Sequence, residues 1–399
     1  MSETGPLSDV LVVDLTRALA GPQAAMMLGD LGARVIKVES PTGDDTRAWG
    51  PPWAGAETGH HEDSTYFMSA NRNKESLVLD LKDPADAEVL TALVRRGDVL
   101  LENFRTGTLD RLGFSVERLH DLNPRLVIGS ITGFGHDGPE AHRAGYDQIA
   151  QGEGGLMSVT GTEQATKVGV PIADLLAGMN LAYGVVAALH ERHRTDRGRV
   201  VHTSLLSGVV GVHAFQGTRW LLGHEVPGIA GAHHPAIAPY GMFETATSPV
   251  QVAVGSEGLW RKFAAAVGLD ADEERFRTNR ERVAHRPDLV GVIEGIFSAE
   301  PADHWLDLLL ATGIPAGKVR SMDDVYAWEQ VRSQGLVLDI EHPSYGRLEL
   351  TGSPLRFDDN LYSGGRVTHM APPKLGQHSA AIREEIAAWL TESSPESGT

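Results

Sequence analysis

No cysteine occurs in the 399 residues, which excludes disulfides, thiolate metal sites and a cysteine nucleophile. Basic residues are also in deficit: 35 Lys and Arg stand against 53 Asp and Glu, a formal charge of −18. General nucleic-acid binding relies on a broad positive surface that displaces counterions from phosphates, and this balance argues against it. A local cationic pocket for one anionic ligand remains compatible with the same balance. No uninterrupted apolar run is read as long enough to span a bilayer, and the opening MSETGPLSDV lacks a basic stretch followed by an apolar core. The expectation is a cytoplasmic protein that works without membrane or nucleic acid. Also missing are a G-x-S-x-G elbow, a Walker loop and an H-E-x-x-H pair, so the common hydrolase, phosphate-loop and zinc-protease readings have no support.

What is present is ordinary globular material, 41% hydrophobic and 22% charged, enough for two domains or one large domain with an insertion. The stretch DVLVVDLTRALAGPQAAMMLGDLGARVIKVESP predicts a strand over 10–15, a helix over 22–31 and a strand over 34–39. Pro22 suits a first helical position, where its missing N–H has no partner to lose. Further strands are predicted over 76–81, 98–103 and 125–131, with helices in PADAEVLTALVRRG and SVERLHDLN between them. That alternation implies a Rossmann-like α/β domain with a mostly parallel sheet, whose ligands bind beyond the carboxyl ends of the strands. Glu39 stands where dinucleotide folds keep an acidic residue, but the turn from Asp14 to Gly21 lacks G-x-G-x-x-G. The literal match at Gly133, Gly135 and Gly138 is followed at once by Pro139 and opens no helix, so it reads as a glycine-rich loop.

From about Val226 the texture turns Gly-, Pro- and His-rich, and a smaller α+β domain is predicted to about Val319, with strands over 241–245 and 251–254 and three helices. LVLDIEHPSYGRLEL predicts a hairpin turning at 343–346. The domain plan is a large domain over 1–205, a linker over 206–225, an inserted small domain over 226–319, and a return segment over 320–399 with a disordered tail from 391.

Three places invite chemistry. Asp174, in VGVPIADLLAGMNLAYG, precedes a long helical segment; it reads either as an N-cap or as a carboxylate nucleophile towards an activated acyl group. His190 and His193 lie three apart on that segment, but Arg192, Arg194 and Arg197 around them fit a helix C-terminus, and no third ligand has metal-binding spacing. No metal site is expected. His233 and His234 sit in the glycine-rich segment, either touching substrate or forming polar loop surface.

Taken together, VLVVDLTRALAGPQAAMMLGDLGARVIKVESPTGDDTR, YFMSANRNKESLVLDLK, DVLLENFRTGTLDRLGF, LNPRLVIGSITGFG, GYDQIAQGEGGLMSVTG, VGVPIADLLAGMNLAYGVVAALHERHRTDRGRVV and APPKLGQHSAAIREEI resemble the class III CoA-transferases, the CaiB/BaiF family that includes formyl-CoA transferase and carnitine CoA-transferase. The resemblance implies that Asp174 attacks an acyl-CoA thioester, forms a mixed anhydride, becomes an aspartyl-CoA thioester, and passes CoA to a carboxylic acid acceptor. It implies no tightly bound cofactor, with coenzyme A and its acyl esters as substrates, and an interlocked homodimer. Carried over by position, the CoA contacts fall on Arg17, Leu19, Ala20, Ser40, Leu79, Lys82, Asn103, Phe104, Arg105, Arg111, Ala144, Tyr146 and Asp147. Arg17, Lys82, Arg105 and Arg111 suit CoA phosphates. Formyl-CoA transferase has Gln at Leu19 and Arg at Ser40, and its covering glycine loop survives here as Gly228 and Gly231 beside His233 and His234, which points away from formyl-CoA and oxalate. The related α-methylacyl-CoA racemases place His where this chain has Tyr146, and a phenol is a poor base near neutral pH, so transfer is favoured over racemisation. A non-catalytic CoA-ester binder is the remaining alternative. Donor, acceptor and pathway are not fixed by these residues.

Overall fold

The structure is a computed structural model that describes residues 5–55, 63–358 and 363–392. The chain divides into two compact units, one formed by 1–156, 168–218 and 328–399, the other by 157–167 and 219–327.

The first unit is built on six parallel strands: β1 (Leu11–Asp14), β2 (Arg34–Glu39), β3 (Lys74–Val78), β4 (Val99–Glu102), β5 (Val127–Thr132) and β6 (Val200–Ser204). Their order is β3-β2-β1-β4-β5-β6. Val12, Val13, Val35, Ile36, Leu100 and Val127 are buried, as strands covered on both faces require. The helices Ala20–Asp30 and Ile172–Thr195 pack on one face, and Pro84–Arg96, Val116–Leu122 and Ser379–Glu392 on the other. The chain leaves β1 towards β2 on one side and enters β4 on the other, so a crevice opens between the loops after β1 and β4, where Rossmann-like sheets hold ligands.

Several boundaries differ from the sequence expectation. β3 starts at Lys74 rather than 76 because the buried Lys74 ammonium finds Asp14 Oδ2 at 3.0 Å and Asn71 Oδ1 at 2.9 Å; an internal lysine does not read as strand. The first helix begins at Ala20, which places Pro22 in its first turn but not at its first position. β6, Val200–Ser204, is a strand beyond those the sequence pattern predicts. The expected linker over 206–225 is helical instead, as Leu205–Gly211 and Ala214–Gly223; a reciprocal Ser204–Ser207 capping box starts the former. Ser379–Glu392 carries regular helix into the start of the expected tail, whose residues 393–399 lie outside the described ones.

The helix Ile172–Thr195 also corrects the reading of apolar runs: it has the length and apolarity of a membrane-crossing helix, with a mean hydropathy of 1.7 over 18 residues. Its apolar face is covered in this fold, since Ala173, Ala177, Leu181, Val185 and Leu189 pack into the same core as Ala24 and Leu28. Gly178 permits that approach, because a Cβ there would lie 2.6 Å from the Ala20 carbonyl oxygen. The hairpin β10 (Val337–His342) and β11 (Gly346–Thr351) belongs to the first unit and turns where expected.

The second unit is α+β. β7 (Tyr240–Phe243), β8 (Val250–Ala253) and β9 (Ala316–Lys318) form an antiparallel sheet in that order. Helices Glu257–Val267, Arg286–Phe297 and Ala302–Ala311 bury Trp260, Phe263, Phe297 and Trp305 against it. Stacked rings at 4.7 Å between Phe297 and Trp305 mark the centre of that core.

Candidate active site

A cleft of about 310 Å³ occupies the crevice at the carboxyl ends of β1, β4 and β5. Of the residues expected to contact substrate, Arg17, Leu19, Ala20, Asn103, Phe104, Arg105, Ala144, Tyr146 and Asp174 line it together. The loops after β1 and β4 are stitched by the Asn103 side chain, which accepts the Arg17 amide at 2.9 Å and donates to the Arg17 carbonyl at 2.7 Å. The Arg17 guanidinium then lies over the Phe104 ring, 5.3 Å from its centre.

The β1 loop is fixed from beneath by buried charge. Lys37 Nζ, wholly inaccessible, donates to the Thr16 carbonyl at 2.9 Å and to Asp44 Oδ2 at 3.0 Å. Asp44 Oδ1 accepts the Ala18 amide at 3.3 Å, and Ala18 holds a left-handed φ of 63° that a non-glycine residue adopts only under constraint. Leu19 and Ala20 therefore reach the cleft from a loop whose backbone is set by an internal ion pair.

Asp174 is the third residue of its helix. The N-cap is Pro171 and makes no side-chain cap, so the expected capping role of Asp174 is not what the structure contains. Asp147 takes that part instead: its Oδ1 accepts the Ala173 amide at 2.8 Å, while its Oδ2 accepts from Gln151 Nε2 at 2.8 Å. Among the described residues none donates a hydrogen bond to the Asp174 carboxylate. Burial, and next the negative charge of Asp147, push its pKa up to about 7. A carboxylate without donors is poorly stabilised as an anion and correspondingly nucleophilic once ionised.

The opposite wall was missed by sequence reasoning. Asp45 and Trp49 line the cleft, and the Trp49 ring meets Tyr66 edge-on at 5.0 Å. Burial and then the charges of Asp174, Asp147 and Asp44 push the Tyr66 phenol up to about 12. An exposed-looking Trp in the Gly/Pro-rich GDDTRAWGPPW was the available signal. Thr132, Gly133, His142, Arg143 and Leu205 complete the lining. Gly133 belongs to the literal glycine motif, and its role is steric: a Cβ on it would lie 2.6 Å from the Gly145 backbone.

Other expected contacts lie outside the cleft lining. Ser40 bonds Thr42 Oγ1 at 3.0 Å in the loop after β2, Leu79 is buried just beyond β3, Lys82 is exposed, and Arg111 Nη2 donates to Thr108 Oγ1 at 2.9 Å. Gly228, Gly231, His233 and His234 all belong to the second unit. His190 and His193 are exposed on the long helix, and among the described residues no group of three or more His, Asp or Glu has metal-holding geometry.

The family model for CoA-transferase family III matches residues 7–379. The chain is 38% identical over 387 residues to a succinyl-CoA:glutarate CoA-transferase of Mus musculus, covering 96% of this chain and 86% of that one. It is 39% identical over 392 residues to a succinate–glutarate CoA-transferase of Agrobacterium fabrum, covering 96% of each. A crystal structure of a CAIB/BAIF family protein from Brucella suis superposes with a TM-score of 0.84 at 39% identity, covering 96% of this chain and all of that one.

Proposed function

The chain belongs to CoA-transferase family III and is an enzyme that moves CoA from an acyl-CoA to a carboxylic acid; from that premise we propose that Asp174 carries the transfer, with succinyl-CoA as donor and a short dicarboxylic acid such as glutarate as acceptor. The substrate class is taken from the names of the mouse and Agrobacterium relatives. The observation that carries the role of Asp174 is its carboxylate at the cleft, without a donor among the described residues and with its pKa pushed up to about 7.

The Asp174 oxygen attacks the thioester carbonyl; the C–S bond breaks, CoA leaves as thiolate, and a mixed anhydride remains. The thiolate attacks the aspartyl carbonyl of that anhydride, releasing the donor acid and leaving an aspartyl-CoA thioester. The acceptor carboxylate attacks this thioester, again expelling thiolate, which takes the acceptor acyl carbon and returns Asp174 as a carboxylate. Each step exchanges one activated acyl carbonyl for another, so protein groups need only position and stabilise charge. The Ala173 amide is already bonded to Asp147 and does not serve the oxyanion. Arg17 and Arg105 at the cleft, with Lys82 and Arg111 farther along the same edge, are assigned to CoA phosphates. Within the second unit, His233 and His234 are assigned to the substrate loop.

The working unit is proposed to be an interlocked homodimer, with the second unit as its small inserted domain. Within the second unit, Leu221, Leu222 and Val226 are 70%, 81% and 75% exposed within six residues of chain, and in the first unit Tyr183 is 78% exposed; bare apolar side chains of this size support a partner surface.

The test is intact and peptide mass after incubation with succinyl-CoA. An adduct on the Asp174 peptide, absent from Asp174→Ala, is expected. Lack of any adduct, together with α-deuterium exchange into a 2-methylacyl-CoA, would replace the transferase mechanism with racemisation.

A further inference from the structure

Two arginines four residues apart in the second unit grip one loop, and they differ in counter-charge. Arg282, fully buried, donates Nε to the Ala238 carbonyl at 2.7 Å and pairs with Glu257 at 3.0 Å. Arg286 donates Nη2 to the Pro235 carbonyl at 2.9 Å, but no described carboxylate pairs with it, and its Nε is buried without a partner. A half-buried guanidinium whose inaccessible Nε has no described partner is incompletely satisfied, whereas the neighbouring Arg282 has Glu257 to pair with. Burial holds the Arg286 pKa below its usual range.

The loop that Arg286 grips contains His233 and His234. Both imidazoles are held below their usual pKa, by burial first and by the Arg286 charge second, so they are neutral near pH 7. The Ala236 amide donates to His234 Nδ1 at 3.1 Å, which assigns the ring proton to Nε2. Stacking on Tyr240, with centroids 5.1 Å apart, fixes the plane of the ring. His233 meets the Phe243 ring edge-on at 5.4 Å, and Glu294 opposes the positive field of Arg286 there. An unpaired guanidinium and two oriented, uncharged imidazoles on one clamped loop are groups suited to an anion.

We propose that Arg286, with His233 and His234 beside it, forms an anion site in the second unit that binds the carboxylate of a small organic acid. The inference rests on the reading that the reaction's second substrate is a carboxylic acid, and it adds the residue that supplies the charge.

The experiment is a titration of the full-length enzyme with sodium succinate, in parallel with inorganic phosphate, following the imidazole Cε1–H signals by NMR. His233→Gln and His234→Gln assign the two signals. Succinate is expected to shift both saturably, and Arg286→Gln, which keeps a donor for the Pro235 carbonyl, is expected to abolish the shift; Arg286→Lys keeps part of it. In steady state, Arg286→Gln should raise the KM for the acceptor acid about ten- to a hundredfold, the loss of a charge-assisted hydrogen bond, with kcat and the KM for acyl-CoA little changed. Absence of a saturable shift, a shift surviving in Arg286→Gln, or a phosphate response equal to that of succinate would each overturn the carboxylate site. Transfer activity with neither the signals nor the acceptor KM responding to Arg286→Gln sinks this inference alone. Succinate-dependent shifts in an enzyme that transfers no CoA sink the transferase mechanism instead.

Discussion

The carboxylate of Asp147 accepts the Ala173 amide at 2.8 Å, one residue before Asp174, and its charge adds to burial in raising the pKa of Asp174. One acid thus starts the helix and holds back ionisation of the other. For the free enzyme, the transfer rate should rise with pH through about 7 and level above it, because the nucleophile is the ionised form. Asp147→Asn keeps an oxygen for the Ala173 amide and removes the like charge. The ascending limb of kcat/KM against pH should therefore move to lower pH. An unmoved limb would show that Asp147 exerts no electrostatic hold on the reacting group.

The same pKa shift predicts a stability gain from an inactivating change. A folded-state pKa of about 7 lies above the ordinary value of 3.8, so folding favours the protonated form. The stability this confers is complete below the ordinary value and is lost as pH rises to the folded one. Asp174→Asn carries no charge at any pH and should be more stable than the parent above pH 7, by roughly 1–3 kcal/mol once partial exposure is discounted. The two should converge below pH 4. Urea melts at pH 8 and pH 4 check both arms.

Gly133 and Gly145 touch backbone to backbone, and a Cβ on Gly145 would lie 2.5 Å from the Gly133 Cα. Neither chain segment can give way without moving the cleft wall that runs from 141 to 146. Gly145→Ala should therefore raise the KM for acyl-CoA by about tenfold or more, since overpacking of this kind costs about 1–3 kcal/mol. Gly295→Ala, where a Cβ meets nothing within 4 Å, is the control and should be neutral or stabilising. Equal kinetics for both variants would remove the steric role assigned to the pair.

Removing Asp44 strands the buried Lys37 ammonium and frees the Ala18 backbone. Asp44→Ala should cost about 3–5 kcal/mol in urea unfolding, as expected when one partner of a buried ion pair is lost. The double change Lys37→Met with Asp44→Leu should recover much of that loss in stability but not the activity, since Ala18 still lacks its tether. Full activity in the double variant would separate the ion pair from the shape of the cleft.

The sequence by itself determined the α/β class and the succession of strands and helices that becomes the parallel sheet, because apolar runs buried on two faces are local features. Its resemblance to the class III CoA-transferases, not its local pattern, singled out Asp174, Arg17, Asn103 and Arg105, which the fold brings to one cleft. Tertiary structure alone decided the rest. Lys74 sits inside a strand because Asp14 lies across the sheet from it. Trp49 and Asp45 reach the cleft because an internal ion pair bends the loops beneath them. The helix Ile172–Thr195 is a core helix here although its composition also suits a bilayer. Asp174 does not cap its helix because it is the helix's third residue, and Asp147, 27 positions earlier, accepts the first-turn amide of Ala173 instead. Each of these depends on a partner far away in sequence, and periodicity carries no information about such pairs.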